Sequence, residues 1–415
     1  MVGGSVAHIP SCPNAALLAD ADAFFVAVAR MVDPDGAGKA KLLIVGGSRE
    51  SRGVVCSASY EARQFGVRSA MPIARAVRLC PGAVCVPVPR KACSAKSREI
   101  RAVLQRFAPI IEGSSIDEWY MDLGGTEAVY HHEQLRHTAH RIRGALLAET
   151  AISVSIGGGT NKLVAKLAVE RAKPKPGTTA DGVHVVPAGG EAAFLQTFSL
   201  AELPMVGPKF QERLAALGMT TVPDVLRHDV QTLRSWLGTR AAEWLWRRIH
   251  GVSDADVEGH GDQKSMSRDE TFPVDLHDDA DLERELLALV TRGASDLRGS
   301  ALTTRTITVK IRDRDFRTRS AQRTLDQGVA TDRVIMDVAK QLLRKLRAAR
   351  RVPARLIGVS LSSLSEDPRS DQLALFAGPE PQRETPRDLT LARAVDRVRE
   401  KFGSRGIVPG TLLED

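Results

Sequence analysis

The sequence has 415 residues, a length that predicts two to four domains because it exceeds what one compact core normally holds. Its 58 Lys and Arg residues against 50 Asp and Glu residues give a net charge of +8, which weakly favours a polyanionic partner. Five cysteines without a Cys-x-x-Cys pair argue against a zinc site or disulfide framework, so we expect reduced thiols in a cytoplasmic protein. We also expect no signal peptide and no membrane span, because every apolar run is short or interrupted by charge.

The first part of the chain predicts a mixed α/β domain with an inserted lobe. A buried strand at 15–20 runs into a helix that has Asp22 near its start. The hydrophobic pattern of the following residues predicts a strand at 41–47, a strand and two short helices ending at Pro81, and a helix at 97–109. A strand–turn–strand hairpin at 110–125 comes next, followed by a helix, a strand and a helix ending at Lys173.

The second part of the chain predicts a helical segment, a linker and another mixed domain. Helices separated by Gly and Pro turns continue to Gly251, and the polar stretch 252–265 forms the linker. From Met266 the chain mixes two strands, at 303–316 and 355–364, with two helices, at 281–299 and 331–349. Beyond Glu366 it is polar and proline-rich and then ends in a predicted helix at 391–403.

Two adjacent carboxylates in the stretch SSIDEWY, Asp117 and Glu118, lie in or beside the predicted hairpin turn, and Asp20 lies at the end of the first strand. Strands of one sheet could bring all three together across 97 residues of sequence. Converging carboxylates repel one another unless cations lie between them, and Mg²⁺ is the cation that best matches oxygen ligands and phosphates. The alternative remains open that Asp20 and Asp22 cap a helix and that Asp117 and Glu118 form a solvated turn.

Four segments in a fixed order carry a family resemblance: DADAFF, SRGVVCSASYEARQFGVRSAMP, SIDEWYMDL and NKLVAKLAVERAKPKPG. Together they resemble the Y-family translesion DNA polymerases, of the bacterial DNA polymerase IV (DinB) type, and the resemblance extends from about Ala15 to Phe376. It implies an α/β multidomain, right-hand polymerase fold. The implied domains are a ferredoxin-like palm at 15–30 and 91–172, small fingers at 31–90, a helical thumb at 173–251, a linker at 252–265, an α+β little finger at 266–365, and a flexible tail at 366–415.

The resemblance also implies the metal site and its cofactor. Asp20 and Asp117 match the metal-binding aspartates, Glu118 belongs to the same catalytic site, and Ala21 would contribute its backbone carbonyl. Two Mg²⁺ ions, with Mn²⁺ as an alternative, would clamp the attacking and leaving oxygens of a phosphoryl transfer. The implied reaction is template-directed, low-fidelity addition of a dNTP to a primer 3′-end.

Residues of the implied nucleotide site come from three segments. Phe25 matches the steric gate that excludes a 2′-hydroxyl, whereas Phe24, although beside it in the nucleotide-binding segment, is expected in the helix core. A hydroxyl, a phenol and a guanidinium suit a triphosphate, and a lysine at the end of the helix at 162–173 matches the family lysine that contacts it. The implied nucleotide-binding residues are Phe24, Phe25, Ser57, Tyr60, Arg63 and Lys173.

Two further segments indicate contact with primer–template DNA. LPMVGPKFQERLAALGM resembles a helix–hairpin–helix, in which Gly207 remains but Met205 replaces the usual first glycine, so we expect a distorted hairpin. Between Arg292 and Arg355 there are 17 Lys and Arg against 6 Asp and Glu. The strand TRTITVKIRDRDFRTRS can bury one face and direct basic side chains to phosphates: Lys310, Arg312, Arg314, Arg317 and Arg319.

The segment DQLALF resembles the peptide that docks bacterial polymerases into the replication sliding clamp, the β clamp. Its predicted anchors are Gln372, Leu373, Leu375 and Phe376. A small hydrophobic patch folded onto the domain is the alternative. The helix that follows has no assigned role, and we expect the protein to act as a monomer.

This chain departs from the family pattern at two places, and other features distinguish it from two rival functions. Trp119 stands where the family has a small residue, and its ring either reduces activity or fills a gap in the palm or near the nucleotide. Gly157–Gly159 form a looser motif than the family pattern. The rival class is a catalytically silent paralogue that serves as a clamp-bound adaptor, but such paralogues lose carboxylates that this chain retains. A nucleotide cyclase on a similar palm would leave the thumb-like helices and the basic domain unexplained.

Overall fold

The computed structural model describes residues 15–126, 128–131, 133–174, 179–253, 255–259, 261–366, 384–403 and 406–412. These residues form two compact units, one drawn from Met1–Glu50 and Val54–Gly261 and the other from Ser51–Gly53 and Asp262–Asp415. Within the described ranges, every helix is too short or too polar to cross a lipid bilayer. The predicted clamp-binding residues 372–376 lie outside the described residues.

The centre of the first unit is a five-stranded sheet in the order β5-β6-β1-β7-β8. Strand β1 is central and runs antiparallel to β6 and β7, whereas β8 is parallel to β7. The strands span Ala16–Ala21 (β1), Ile110–Gly113 (β5), Glu118–Asp122 (β6), Val154–Gly159 (β7) and Val183–Val185 (β8). The predicted strands and hairpin of this region are confirmed.

Helices cover both faces of this sheet. On one face lie α1 (Phe24–Val32), α4 (Arg90–Leu104) and α5 (Leu135–Thr150), and their apolar side chains share a core with Leu17 and Met121. On the other face lies α6 (Lys162–Ala172). Because side chains alternate along a strand, neighbouring residues of β1 and β6 belong to different faces, and this alternation decides which of them share a site.

The predicted fingers form a small sheet with two short helices. The sheet order is β3-β2-β4, with β2 at Leu43–Val45, β3 at Ser57–Ala58 and β4 at Val84–Val86. Helices α2 (Tyr60–Gln64) and α3 (Ile73–Leu79) enclose its core. Four described cysteines are free thiols, of which Cys80 and Cys93 are buried.

The segment predicted as the thumb is mostly helical, but it first contributes a strand to the palm sheet. Strand β8 pairs with β7 and therefore belongs to the palm sheet. The helices are α7 (Glu191–Leu195), α8 (Pro208–Ala215), α9 (Val222–Leu226), α10 (Val230–Leu237) and α11 (Thr239–Ile249), with a 3₁₀ turn at Leu200–Glu202. The sequence missed β8 because three residues are too few to show a strand period.

The second unit is a four-stranded sheet with two long helices on one face. The sheet order is β11-β10-β12-β9, and every neighbouring pair is antiparallel. Its elements are β9 (Ser265–Leu276), α12 (Asp279–Gly299), β10 (Leu302–Asp313), β11 (Thr318–Val329), α13 (Asp332–Ala349) and β12 (Ala354–Glu366). Strands β9 and β11 were not predicted, because both are edge strands with mostly polar, exposed residues that show no hydrophobic alternation.

The predicted C-terminal helix is confirmed as α14 (Pro386–Phe402), and it is docked on the second unit. Arg298, whose side chain is 5% exposed, forms ion pairs with Asp396 of α14 and Asp332 of α13. Glu384 accepts hydrogen bonds from the backbone amides of Ala330 and Thr331. The expectation of a flexible tail is therefore wrong for residues 384–403, because buried charge pairing fixes this helix on the domain.

Candidate active site

Two of the three predicted carboxylates meet on the α6 side of the palm sheet. Asp20 of β1 and Glu118 of β6 are direct cross-strand neighbours. Asp20 is 8% exposed, so its charge is largely removed from water. Two carboxylates held side by side in this way require positive charge nearby.

The third carboxylate, Asp117, lies one residue before β6, and its side chain is hydrogen-bonded within its own turn. Its backbone carbonyl accepts a hydrogen bond of 2.9 Å from the amide of Ala21, the last residue of β1. Its side chain accepts a hydrogen bond of 2.5 Å from the hydroxyl of Ser115. Among the described residues, no three His, Cys, Asp or Glu side chains converge on one point. The structure therefore places Asp20 next to Glu118. Asp117 is nearby along the chain, but its side chain does not converge with the other two.

Two lysines of the α6 segment neutralise the carboxylate pair. Lys173 Nζ lies 3.0 Å from Asp20 Oδ2. Lys166 Nζ lies 2.5 Å from Glu118 Oε1 and 4.0 Å from Asp20 Oδ2. Lys166 was not predicted, although its seven-residue spacing from Lys173 is two helical turns and places both near one face. The predicted Lys173 is thus in the site, together with a second cation.

Burial raises the pKa of Asp20 to about 6, and the negative charge of Glu118 adds to this effect, while Lys173 and Lys166 oppose it. For Lys173, burial lowers the pKa, but the carboxylates of Asp20 and Glu170 outweigh burial and raise it above its usual range. Burial therefore has the largest effect on the pKa of Asp20, even with two ammonium groups present. Oxygen ligands in that state fit a hard divalent cation such as Mg²⁺.

Trp119 lies on the opposite face of the sheet from the carboxylates. It pairs with Ala19 of β1 and with Gly113 of β5, which has no side chain to compete for the space. Its ring is 2% exposed and packs in the core shared with α4 and α5. The aromatic side chain next to Glu118 therefore fills the palm core and does not reach the carboxylate site.

The two phenylalanines of the DADAFF segment occupy different environments. Phe24 is 1% exposed and belongs to the palm core, so its placement among nucleotide-binding residues is wrong and its core role is confirmed. Phe25 is half-buried, and its ring meets that of Phe24 edge-on with centroids 5.6 Å apart. Phe25 keeps the exposure that a gate over a bound sugar would need.

Asp22 holds the β1–α1 turn to the neighbouring strand. Its carboxylate accepts hydrogen bonds of 2.7 Å and 2.8 Å from the hydroxyls of Ser153 and Ser155. The residue that precedes α1 is Ala23, which makes no side-chain cap and has a left-handed φ of 45°. The alternative in which Asp20 and Asp22 cap this helix is therefore wrong.

Tyr60 and Arg63 on α2 lie near the palm carboxylates. The pKa of Tyr60 is raised by burial and by the negative charges of Asp22 and Asp20, so its phenol faces the same site. The Arg63 guanidinium lies 5.0 Å from the centroid of the Tyr60 ring. Ser57 is buried in β3, two residues before the capping Ser59 of α2.

The hairpin of the predicted helix–hairpin–helix keeps a glycine-like conformation. Met205 has a φ of 66° and is 82% exposed. Gly207 immediately precedes α8 with an extended backbone, and space around it is open. Met205 adopts the left-handed conformation at a backbone cost of about 1 kcal/mol, and the expected distortion of the hairpin stays a prediction.

The open face of the second sheet carries hydroxyls and a few basic side chains. Ile307, Val309 and Ile311 of β10 face the helices, so Lys310 and Arg312 lie on the other face, opposite Ser320 and Thr318 of β11. Lys310 Nζ forms an ion pair of 2.6 Å with Asp269. This arrangement confirms the predicted division of β10 into a buried face and a polar, partly basic face.

Arg319 lies on the helix side and is paired. Its side chain is 13% exposed and forms an ion pair of 2.9 Å with the fully buried Asp313. It also donates to the backbone carbonyl of Leu346. The prediction that Arg319 contacts DNA is contradicted by this burial, because its guanidinium is already used to neutralise Asp313.

Comparisons with known proteins match almost the whole chain. The model of the impB/mucB/samB family matches residues 19–170, and the model of its C-terminal domain matches residues 263–375. A DNA polymerase IV of Dehalococcoides mccartyi is 35% identical over 395 residues, covering 94% of this chain and 95% of the relative. A DNA polymerase IV of Caulobacter vibrioides is 33% identical, covering 95% of this chain and 93% of the relative.

Solved structures give a similar result. A Y-family DNA polymerase chimera of Dbh and Dpo4 superposes with a TM-score of 0.73 at 26% identity, covering 85% of this chain and 100% of the chimera. DinB from Sulfolobus solfataricus superposes with a TM-score of 0.55 at 28% identity, covering 84% of this chain and 98% of that protein. The similarity therefore includes both compact units.

Proposed function

The chain belongs to the impB/mucB/samB family of Y-family DNA polymerases and is a DNA-directed DNA polymerase of the translesion type, and from this premise we propose the residues that carry its reaction. We propose that it adds dNTPs to a primer 3′-end, directed by a template and with low fidelity. The bond formed joins the primer 3′-oxygen to the α-phosphorus, and pyrophosphate leaves.

The observation that carries this proposal is the pairing of Asp20 with Glu118 under two lysines. The pair is partly buried, and positive charge is already concentrated around it. A silent adaptor would have no need of this arrangement, because burying two neighbouring carboxylates costs stability and brings an adaptor no benefit. We therefore favour catalysis over the adaptor alternative.

The proposed metal ligands are Asp20, Asp117 and Glu118, with the Ala21 carbonyl. Divalent ions bound there would neutralise the triphosphate and polarise the reacting phosphoryl group. Asp117 is half-buried and bonded to Ser115, a local contact that it can exchange at little cost. Lys166 lies beside Glu118 and supplies positive charge to both carboxylates.

The chain's own cations and rings would orient the nucleotide. Lys173 and Arg63 supply positive charge for the triphosphate, and the neutral Tyr60 phenol supplies a hydrogen-bond donor. Ser57 precedes this helix and belongs to the same proposed group. Phe25 packs against the sugar and leaves no room for a 2′-hydroxyl, which selects deoxynucleotides by exclusion.

We propose that primer–template DNA contacts both units. The hairpin at Gly207 offers backbone amides to a phosphate, and Lys310, Arg312, Arg314 and Arg317 offer side-chain charge. Such contacts are sequence-independent and weaken as salt rises, because bound counterions are released on association. This is the behaviour that a polymerase moving along any template needs.

Primer extension tests the proposed site through Asp117→Ala. This change removes a half-buried carboxylate with one local side-chain contact, so we expect the fold and DNA affinity to persist while extension falls at least about a thousandfold. Extension with dNTPs and Mg²⁺ on a defined template is the measurement, with DNA affinity measured in parallel.

The matched control is Asp122→Asn at the other end of β6, where the amide oxygen can still accept from the Gly124 amide. Extension by this variant should remain near the unmodified rate. Retained extension in Asp117→Ala would refute the site assignment. An inactive unmodified chain that still binds DNA would favour the adaptor.

A further inference from the structure

The turn between β10 and β11 presents an aromatic ring to solvent. Phe316 is 64% exposed, which is unusual for a large apolar side chain at a hairpin tip. Its φ of 65° lies in the left-handed region, where glycine is normally found. A phenylalanine here costs about 1 kcal/mol in the backbone and gains little burial. Folding alone therefore gives no reason for this residue.

The turn does not need the ring for its own geometry. The Phe316 amide donates to the Asp313 carbonyl at 2.9 Å, and the Asp313 amide donates to the Arg317 carbonyl at 2.9 Å. Both bonds are made by backbone atoms. The turn can therefore persist when the side chain of Phe316 is changed.

A basic side chain is positioned over this ring by an irregularity in the sheet. The register between strands β10 and β12 shifts after Arg312. Arg312 pairs with Leu356 and Asp313 pairs with Ala354, so Arg355 is the extra residue between them. A bulge redirects the side chain of its extra residue. The Arg355 guanidinium lies 4.7 Å from the centroid of the Phe316 ring. The ring is thus held between a cation on one side and solvent on the other.

The remaining charge at the tip is positive. Arg350 forms ion pairs with Asp313 and with Asp315, at 2.5 Å and 2.8 Å, so both acidic residues of the turn are neutralised. Arg314 and Arg317 are exposed, and neither forms an ion pair with any residue in the described part of the chain. The exposed ring therefore shares its turn with two guanidinium groups, of Arg314 and Arg317, that have no carboxylate partner among the described residues.

We propose that this turn is a binding site for single-stranded DNA, in which an unpaired base stacks on Phe316 and the adjoining phosphates contact Arg314 and Arg317. Aromatic rings among basic side chains are the usual means of holding unpaired bases without sequence preference. The inference rests on the proposed polymerase function, because that function supplies the template strand. The site adds a base-stacking contact to the phosphate contacts proposed above.

Binding of two labelled oligonucleotides to the full chain tests this site. One is a dT 12-mer, and the other has the same length and backbone but no bases. The Phe316→Ala variant should bind the dT 12-mer at least about fivefold more weakly and the abasic strand almost unchanged, because stacking requires a base. Fluorescence anisotropy at one fixed salt concentration gives both affinities.

Three further variants separate stacking from folding. Phe316→Gly relieves the backbone strain, so it should show the same loss of dT binding with unchanged or increased thermal stability. Phe316→Trp should keep the affinity. Phe402→Ala is the matched control, since Phe402 is 66% exposed and has a neighbouring cation, Lys401, over its ring. Its dT affinity should stay near that of the unmodified chain.

Several results would overturn the proposal. They are an unchanged dT affinity in Phe316→Ala, an equal loss on both strands, or an equal loss in Phe402→Ala. Failure of the proposed function is distinguishable from these, because the unmodified chain would then not extend a primer, whatever its affinity for the two strands. If the unmodified chain extends primers while Phe316→Ala binds both strands normally, the stacking site alone is refuted.

Discussion

Asp20 and Glu118 lie opposite each other on neighbouring strands, and each has its own lysine from the helix above them. The backbone fixes this pairing, because the register of β1 against β6 leaves neither side chain another direction. The same register explains the position of Trp119. One residue along the strand, it points into the opposite core, so its bulk stabilises the palm without entering the site.

Asp20 makes stability dependent on pH in metal-free buffer. Its pKa rises from 3.8 to about 6 on folding, so between these values the folded state holds a proton that the unfolded state has released. The unfolded state then binds fewer protons, and the free energy of unfolding falls as pH rises through this window. The expected loss is on the order of 2–3 kcal/mol.

Chemical denaturation with EDTA at pH 4, 5, 6 and 7 measures this effect, with Asp20→Asn as the reference. The stability of the unmodified chain relative to that variant should decrease with pH. A difference that stays flat or increases would contradict the raised pKa. Both proteins contain the same remaining titratable groups, so their background dependence cancels.

Phe25 controls sugar selection in the proposed reaction. The Phe25→Ala variant should insert ribonucleotides at least about tenfold more readily relative to deoxynucleotides, because the space for a 2′-hydroxyl is opened. Single-nucleotide insertion with matched rNTP and dNTP measures the ratio. Phe24→Leu is the control, since Phe24 is in the core and its change should lower stability without altering sugar selection. An unchanged ratio in Phe25→Ala would refute the gate.

At the scale of elements, helix α6 must pack closely against the palm sheet to bring Lys166 and Lys173 within contact of the two carboxylates. Gly157 of β7 makes this approach possible. A β-carbon there would lie 2.2 Å from the Val169 amide nitrogen and 2.3 Å from the Ala165 carbonyl oxygen, both backbone atoms. A glycine at position 157 is therefore required for the packing of α6 against β7.

Gly157→Ala should displace α6 and with it Lys166 and Lys173. We expect a loss of about 2–3 kcal/mol in the free energy of unfolding, because backbone atoms cannot move aside as a side chain can. Primer extension should fall as well. Gly144→Ala in α5 is the control, since its added β-carbon meets nothing within 4 Å and alanine favours a helix. Equal stability of the two variants would contradict this account.

At the scale of the whole molecule, the chain forms a palm-containing unit and a second unit that includes the docked helix α14. The proposed clamp peptide at 372–376 comes between β12 and α14 in the sequence. Both β12 and α14 are parts of the second unit, so the chain on either side of the peptide leads into that unit.

Replacing Leu375 and Phe376 together by Ala should abolish stimulation of primer extension by the β clamp and leave unstimulated extension unchanged. The two side chains are the apolar anchors of the proposed peptide, and a rigid catalytic unit does not depend on them. Extension on a long primed template, with and without clamp, is the measurement. Replacing Leu391, an exposed residue of α14, by Ala is the control. Persistent stimulation in the double variant would place the clamp contact elsewhere.

The sequence by itself determined four of the five palm strands and most of the helices, and it supplied the predicted site residues. Asp20, Glu118 and Lys173 were predicted because the segments that contain them resemble the motifs of a known family in their order along the chain. Tertiary structure alone decided that Trp119 is remote from the site, that Lys166 is in it, that Arg319 is buried, and that β8 joins the palm. The physical reason is that burial, pairing and strand register depend on neighbours distant in sequence, and a local pattern carries no information about them.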